Sequence, residues 1–217
     1  MRGDRLVIGD HHRRAAKTLT DILVMRSEGC VHPLVVSIAG ESGSGKSELA
    51  VAIADSLQHR HMPSLILQQD DYFVLPPRSN DRKRREDITW VGPQEVHLDL
   101  LDGTLRKILA GAETITKPLV FYNEDRIGED EVCTTGIRVV LVEGTYTSLL
   151  EAVDLRVFID RTVDQTRTAR SERAREAQDA FLESVLQLEH DMISRHKNLA
   201  HILITSDYSV KELVPES

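Results

Sequence analysis

The sequence is poor in several kinds of residue on which whole protein classes depend. It has 2 cysteines among 217 residues, and Cys30 and Cys133 do not have a metal-binding spacing, which argues against a disulfide framework or a cysteine zinc site. No apolar run approaches the roughly 20 residues of a membrane span, and the first ten residues lack the apolar segment of a signal peptide. We therefore expect reduced thiols in a cytoplasmic protein with no membrane partner.

Positive charge is also scarce, because the formal net charge is −8. Such a chain is not suited to nonspecific nucleic-acid binding, so we expect no nucleic-acid partner. The length fits one domain with a substantial core. We expect an N-terminal helical extension over residues 1–33 and the main domain over 34–217. The oligomeric state stays open, a homo-oligomer included.

The most informative stretch is Gly40–Ser47, which reads Gly-Glu-Ser-Gly-Ser-Gly-Lys-Ser and matches the phosphate-binding P-loop. A β-branched run, 34–38, precedes it, and an apolar stripe with a four-residue repeat follows it. Strand, glycine-rich loop and helix is the context that this motif requires. The alternative is a flexible Gly/Ser loop that matches by chance.

The loop predicts a site for ATP and Mg²⁺. Backbone N–H groups and the helix N-terminus would surround the phosphates. Lys46 would reach the β- and γ-phosphates, and the hydroxyl of Ser47 would bind Mg²⁺. The candidate nucleotide-binding residues are Gly40, Glu41, Ser42, Gly43, Ser44, Gly45, Lys46, Ser47 and Glu48.

Two carboxylates, Asp70 and Asp71, follow a predicted strand at 64–69. A phosphotransferase needs a base for the acceptor hydroxyl and partners for its metal at such a strand end. A solvated turn is the alternative, because paired aspartates are also common before proline-rich loops.

The glycine-rich loop followed by Gln69-Asp70-Asp71-Tyr72-Phe73 resembles the uridine kinase and phosphoribulokinase family, including its nicotinamide riboside kinase branch. The resemblance implies that Asp70 is the catalytic base. A later segment, 117–126, is similar to the family's acceptor-pocket segment. The candidate acceptor-binding residues are Asp71, Tyr72, Tyr122 and Arg126.

One segment departs from that family. Uridine kinases have Asp-His-Pro where this chain has Val91-Gly92-Pro93, so the resemblance does not specify uridine as the acceptor. The preceding residues, 74–93, are predicted to be a loop. Its basic run, 82–85, would be solvated or, alternatively, would form a flap that attracts anions.

A second carboxylate for the metal is predicted at Glu143. It ends the apolar run 138–142, which is typical of a buried parallel strand, and Glu143-Gly144 matches a Glu-Gly pair of the family. We expect Mg²⁺ to be bound by Ser47, Glu143 and Asp70. An ordinary glutamate at a strand end is the alternative.

Arginines at three-residue spacing follow the strand predicted at 155–160. On a helix, Arg167, Arg170 and Arg173 would share a broad face, and their guanidinium groups could stabilise the transferring phosphoryl group. The resemblance implies a lid helix here, with Arg167 and Arg170 catalytic and Arg173 nucleotide-binding. The alternative is a solvated helix face balanced by glutamates.

Strand candidates at 34–39, 64–69, 138–143, 155–160 and 200–205 alternate with helices. This order predicts an α/β P-loop NTPase fold, a doubly wound five-stranded parallel sheet with a lid helix. We also expect a helix over 10–28, a helix from Pro93 onward, and a β-hairpin around 123–125.

The sequence therefore predicts an ATP- and Mg²⁺-dependent kinase that phosphorylates a hydroxyl of a small molecule, a nucleoside or similar metabolite. Two alternatives remain. The loop with its following glutamate and later Asp-Asp also resembles the HPr-type serine kinase. A regulatory module could equally use the loop to bind nucleotide without catalysing transfer.

Overall fold

Six strands form the central sheet of the computed structural model, which describes residues 6–162, 165–166 and 180–213. They run in the order β2-β5-β1-β6-β7-β8, and the first five are parallel. Their bounds are β1 Leu34–Gly40, β2 Ser64–Gln68, β5 Val139–Glu143, β6 Leu155–Ile159, β7 Ile202–Ile204 and β8 Val210–Glu212. The predicted five-stranded parallel sheet is thus confirmed.

The antiparallel strand β8 was not predicted. It pairs with β7 over three residues, two of which are charged, so it carries no apolar alternation. The central strands differ, because every residue of β1 and β5 is buried. Such burial on both faces explains their continuous apolar sequences.

Helices cover both faces of the sheet. Helices α1 and α2 pack on one face, and α4 and the two-stranded β3–β4 hairpin pack on the other. The bounds are α1 Asp10–Ser27, α2 Lys46–Gln58, α3 Pro77–Glu86, α4 Leu98–Leu109, α5 Ala180–Ile193, β3 Thr114–Phe121 and β4 Arg126–Cys133. In the described part of the chain, no helix is long and apolar enough to cross a membrane.

Helix α1 confirms the helix predicted over 10–28. Its buried residues Ala15, Leu19 and Leu23 belong to the same apolar cluster as Leu49 and Ile53 of α2. Helix α1 therefore packs directly on the helix that follows the phosphate loop, and the described part of 1–33 shares the core of the main domain.

The loop predicted for 74–93 is wrong, because α3 occupies 77–86. Pro77 suits the first helical turn, but the helix has no apolar stripe, and Asn80 is its fully buried residue. The helix expected from Pro93 begins instead at Leu98, after a single 3-10 turn over 93–95.

The hairpin forms around 122–125 as predicted, and a buried ion pair fastens it to the turn that contains Asp70. Lys117 Nζ lies 2.8 Å from Asp71 Oδ2, and the two side chains are 6% and 3% exposed. The backbone N–H of Val120 donates to the other oxygen of Asp71 at 3.0 Å. Asp71 therefore holds β3 against the Asp70 turn.

Lys117→Met is expected to destabilise the protein strongly, because it leaves the Asp71 carboxylate buried without its cation. Breaking a buried pair from one side typically costs about 3–5 kcal/mol. The matched control is Arg106→Ala, which removes an exposed ion pair with Glu151 and should cost less than about 1 kcal/mol. Urea unfolding measures both, and similar small losses would contradict the structural role of Asp71.

Candidate active site

The phosphate loop joins the end of β1 to the start of α2. Its glycines adopt positive φ angles, 74° at Gly43 and 93° at Gly45. A Cβ at Gly45 would lie 2.2 Å from the Tyr208 hydroxyl, so only glycine fits there. Because α2 begins at Lys46, the positive end of the helix faces the loop, which suits an anion.

Polar groups around the loop hold it in place. Lys46 Nζ donates to the backbone oxygen of Glu41 at 2.8 Å, and the Tyr208 hydroxyl donates to the backbone oxygen of Ser44 at 2.7 Å. The buried Oγ of Ser44 has no hydrogen-bond partner among the described residues. A buried polar atom left in this way is consistent with a loop built to receive a ligand.

Ser47 and Glu143 meet beside the loop. Ser47 Oγ donates to Glu143 Oε1 at 2.9 Å, and Gln68 Nε2 donates to the same oxygen at 3.2 Å. The sheet register explains this meeting, because Glu143 pairs with Ile38 of β1 and with Gln68 of β2. The ends of β2 and β5 and the loop that follows β1 thus meet at one edge of the sheet.

The carboxyl group of Glu143 has an unusual environment. Burial raises its pKa, and the nearby charge of Asp70 raises it further, whereas Lys46 and the hydrogen bonds from Ser47 and Gln68 lower it. These influences on Glu143 indicate that the side chains of Asp70 and Lys46 lie near its carboxyl group.

Gly144 brings the Asp70 turn close to this cluster. A Cβ at Gly144 would lie 2.3 Å from the Cβ of Gln69, so a larger residue would push the turn away. The Gln69 side chain also accepts a hydrogen bond from the backbone N–H of Tyr146 at 2.7 Å. The Glu-Gly pair therefore supplies a carboxylate and also the space that lets Asp70 approach.

The residues present fit Mg²⁺. Ser47, Glu143 and Asp70 supply hard oxygen donors, which Mg²⁺ prefers. Among the described residues, no group of three or more His, Cys, Asp or Glu side chains could hold a metal. This sparse donor set suits a cation that completes its coordination with substrate phosphates and water.

A cleft of about 130 Å³ opens in front of Asp70. It lies between the Asp70 turn, α3, α5 and Tyr122, with the phosphate loop at one end. Its polar lining includes Ser42, Asp70, Asn80, Arg84, Tyr122 and Glu189. Asp70, the candidate base, therefore lies in a cleft that also reaches the phosphate loop at Ser42. Such a cleft could hold an acceptor molecule beside the phosphates.

The four predicted acceptor residues separate into two groups. Tyr122 lines the cleft, whereas Asp71, Tyr72 and Arg126 do not. The Tyr72 hydroxyl hydrogen-bonds Thr104 Oγ1 at 3.2 Å, and burial raises its pKa to about 12. Arg126 pairs with Glu124 at the exposed hairpin tip. The geometry therefore gives these three residues structural contacts away from the cleft.

Arg167, Arg170 and Arg173 lie outside the described residues, so their predicted contacts with phosphate remain predictions.

The sequence missed a buried ionic cluster in the cleft wall. Arg84 of α3 forms a forked pair with Glu95 at 2.5 and 2.6 Å and approaches Glu189 of α5 at 3.4 Å. These side chains are 11%, 0% and 9% exposed, so the solvated interpretation of the basic run 82–85 is wrong for Arg84. The four-residue step from Asn80 to Arg84 is the signal that could have indicated a shared face.

The fold and this site define a class. A parallel α/β sheet with a glycine-rich loop between its central strand and a helix, and a carboxylate at the adjacent strand end, is a P-loop nucleotide-binding protein. The Phosphoribulokinase / Uridine kinase family matches residues 35–206. The chain therefore belongs to that family and is a small-molecule phosphotransferase.

Several known proteins are similar to the chain. The bifunctional alpha-galactosidase/sucrose kinase AgaSK of Mediterraneibacter gnavus is 29% identical over 193 residues, covering 82% of this chain but 21% of its own length. The uridine kinase of Leuconostoc citreum is 26% identical, covering 79% and 87%. A possible uridine kinase from Bacillus stearothermophilus superposes with a TM-score of 0.64 at 17% identity, covering 88% and 97%, which supports the fold.

The raised pKa of Glu143 predicts a pH-dependent effect of Glu143→Gln on stability without metal. Because the folded state binds this proton more tightly, wild-type stability is lost as pH rises through the raised pKa. The glutamine variant, which keeps the hydrogen-bonding shape, should therefore unfold at a higher temperature near neutral pH.

The difference should disappear below about pH 4, where an ordinary glutamate is also protonated in the unfolded chain. Thermal unfolding in a chelator from acid to neutral pH measures it, with Glu151→Gln at an exposed glutamate as control. Equal shifts for both variants would contradict the assigned environment.

Proposed function

We propose that the chain transfers the γ-phosphate of ATP to a hydroxyl of a nucleoside or a similar neutral, polyhydroxylated metabolite. The observation that carries this proposal is the position of Asp70. Its carboxylate borders the acceptor cleft on one side and interacts electrostatically with Glu143 beside the phosphate loop on the other.

The donor nucleotide would lie along the phosphate loop. The loop N–H groups and the end of α2 would hold its phosphates, and Lys46 would turn from the Glu41 carbonyl toward them. Ser47, Glu143 and Asp70 would hold Mg²⁺, which offsets phosphate charge during transfer. Arg167, Arg170 and Arg173 would close over the phosphates and exclude water.

Asp70 would accept a hydrogen bond from the attacking hydroxyl and take its proton as the new P–O bond forms. Phosphoryl transfer depends mainly on alignment and charge stabilisation, so the principal work of Asp70 is to aim the hydroxyl oxygen at phosphorus. Tyr122 lines the same cleft, which supports a role for it in contacting the acceptor.

The cleft chemistry favours a neutral acceptor. Asp70 and Glu189 are acidic, and the cation Arg84 already contacts two carboxylates. An acceptor with its own carboxylate or phosphate would meet carboxylates in this wall. The sucrose and uridine named for the similar kinases are neutral and rich in hydroxyl groups, which supports the same class here.

The setting proposed for this enzyme is cytoplasmic, without nucleic-acid or membrane partners. Support comes from the thiols of Cys30 and Cys133, which are unpaired, and from the acidic net charge. A homo-oligomer remains compatible with this proposal.

Asp70→Asn should retain ATP binding and lose phosphoryl transfer by about 10²–10⁴-fold, the usual contribution of a positioned general base. The matched control is Asp99→Asn, at an exposed aspartate in the first turn of α4, which should keep wild-type turnover. Nucleotide titration and steady-state kinetics measure the two effects. Turnover near that of the wild type in Asp70→Asn would remove this residue from the mechanism.

A coupled ATPase assay over a panel of acceptors tests the substrate class. We expect phosphorylated product with a neutral sugar or nucleoside, with sucrose and uridine tested first, and little with a hydroxy acid such as glycerate. A preference for the acid would overturn the neutral class. ATP binding without any phosphorylated product across a broad metabolite panel would favour the regulatory module.

A further inference from the structure

The phosphate loop carries a negative charge of its own. Glu41 is the second residue of the motif, and its side chain is 8% exposed. A polyphosphate bound in this loop carries several negative charges, and a buried carboxylate beside it would repel them, since burial weakens solvent screening. Hydrogen bonding to this carboxylate would therefore favour nucleotide binding.

His190 supplies that hydrogen bond. Its Nδ1 lies 2.6 Å from Glu41 Oε1, a distance typical of charge-assisted hydrogen bonds. The other carboxylate oxygen, Oε2, is buried and has no hydrogen-bond partner among the described residues. In the described part of the chain, the charge of Glu41 is therefore met by hydrogen bonding from His190.

The position of His190 gives this contact a further consequence. Leu182, Val185, Leu186 and Glu189 of α5 line the acceptor cleft, at the three- and four-residue spacing of one helix face. His190 follows Glu189 and is turned by about 100° toward the phosphate loop. Helix α5 thus forms one wall of the cleft and also contacts the phosphate loop.

We propose that His190 is a positioning residue for the donor nucleotide. It hydrogen-bonds the Glu41 carboxylate and fixes α5 against the phosphate loop, so that the cleft wall formed by α5 and the phosphate loop keep one relative position. The inference rests on the proposed function in one respect, that the ligand of the loop is a nucleoside triphosphate.

The test is a double-mutant cycle read by calorimetric titration of Mg²⁺ and a non-hydrolysable ATP analogue. His190→Ala should weaken binding about tenfold or more, because it leaves a buried carboxylate uncompensated. Glu41→Gln should tighten binding, because it removes the like charge. The combined Glu41→Gln, His190→Ala variant should bind far better than His190→Ala alone.

Two further variants separate hydrogen bonding to Glu41 from general damage. His190→Gln keeps a hydrogen-bond donor on a side chain of different shape and should fall between wild type and His190→Ala. The matched control is His196→Ala, which removes a contact with Ser148 Oγ at 2.8 Å and should leave nucleotide affinity unchanged. Thermal unfolding confirms that each variant is folded.

The proposal is overturned if His190→Ala binds the analogue as tightly as wild type. It is also overturned if His190→Ala causes the same loss whether residue 41 is Glu or Gln, since His190 would then act by packing alone. Because these readouts measure binding without phosphoryl transfer, they are independent of whether the acceptor panel yields product.

Discussion

The hydrogen bond between Ser47 and Glu143 joins the parts of the protein on which the candidate site depends. Ser47 lies in the first turn of α2, directly after the phosphate loop, and Glu143 ends β5. Because parallel strands end at the same edge of a sheet, the phosphate loop, Glu143 and the Asp70 turn meet in a single region around this contact. Every residue of β1 and β5 is buried, so this region is anchored in the core of the sheet.

Buried carboxylates are concentrated around this edge, and each has identifiable partners. Glu41 contacts His190, Glu143 accepts from Ser47 and Gln68, and Glu95 is held by Arg84. A site of this kind can hold a highly charged ligand because its own charges are fixed before the ligand arrives. Helix α5 contributes His190 to one of these contacts, and the preceding residue, Glu189, approaches Arg84. The same helix therefore borders both the cleft and the phosphate loop.

Sequence reasoning failed where a residue's role depends on what lies opposite it. Helix α3 packs through Asn80 and the Arg84 ion pairs and has no apolar stripe. Hydrophobic periodicity therefore could not predict this helix. Asp71 stands beside Asp70 in sequence, but the turn points it to Lys117 and Val120. Strand β8 is short and charged, and pairing with β7 alone defines it.

The sequence by itself determined the phosphate loop, the five parallel strands, the helix 10–27 and the candidate roles of Asp70 and Glu143. These features are local, because glycine spacing, apolar runs and carboxylates at strand ends can each be recognised within a short stretch of sequence. Only the tertiary structure brought Arg84, Glu189 and His190 to the candidate site. Their partners lie between 11 and 149 positions away in the chain, and charge pairing at that separation follows from packing, which no local pattern records.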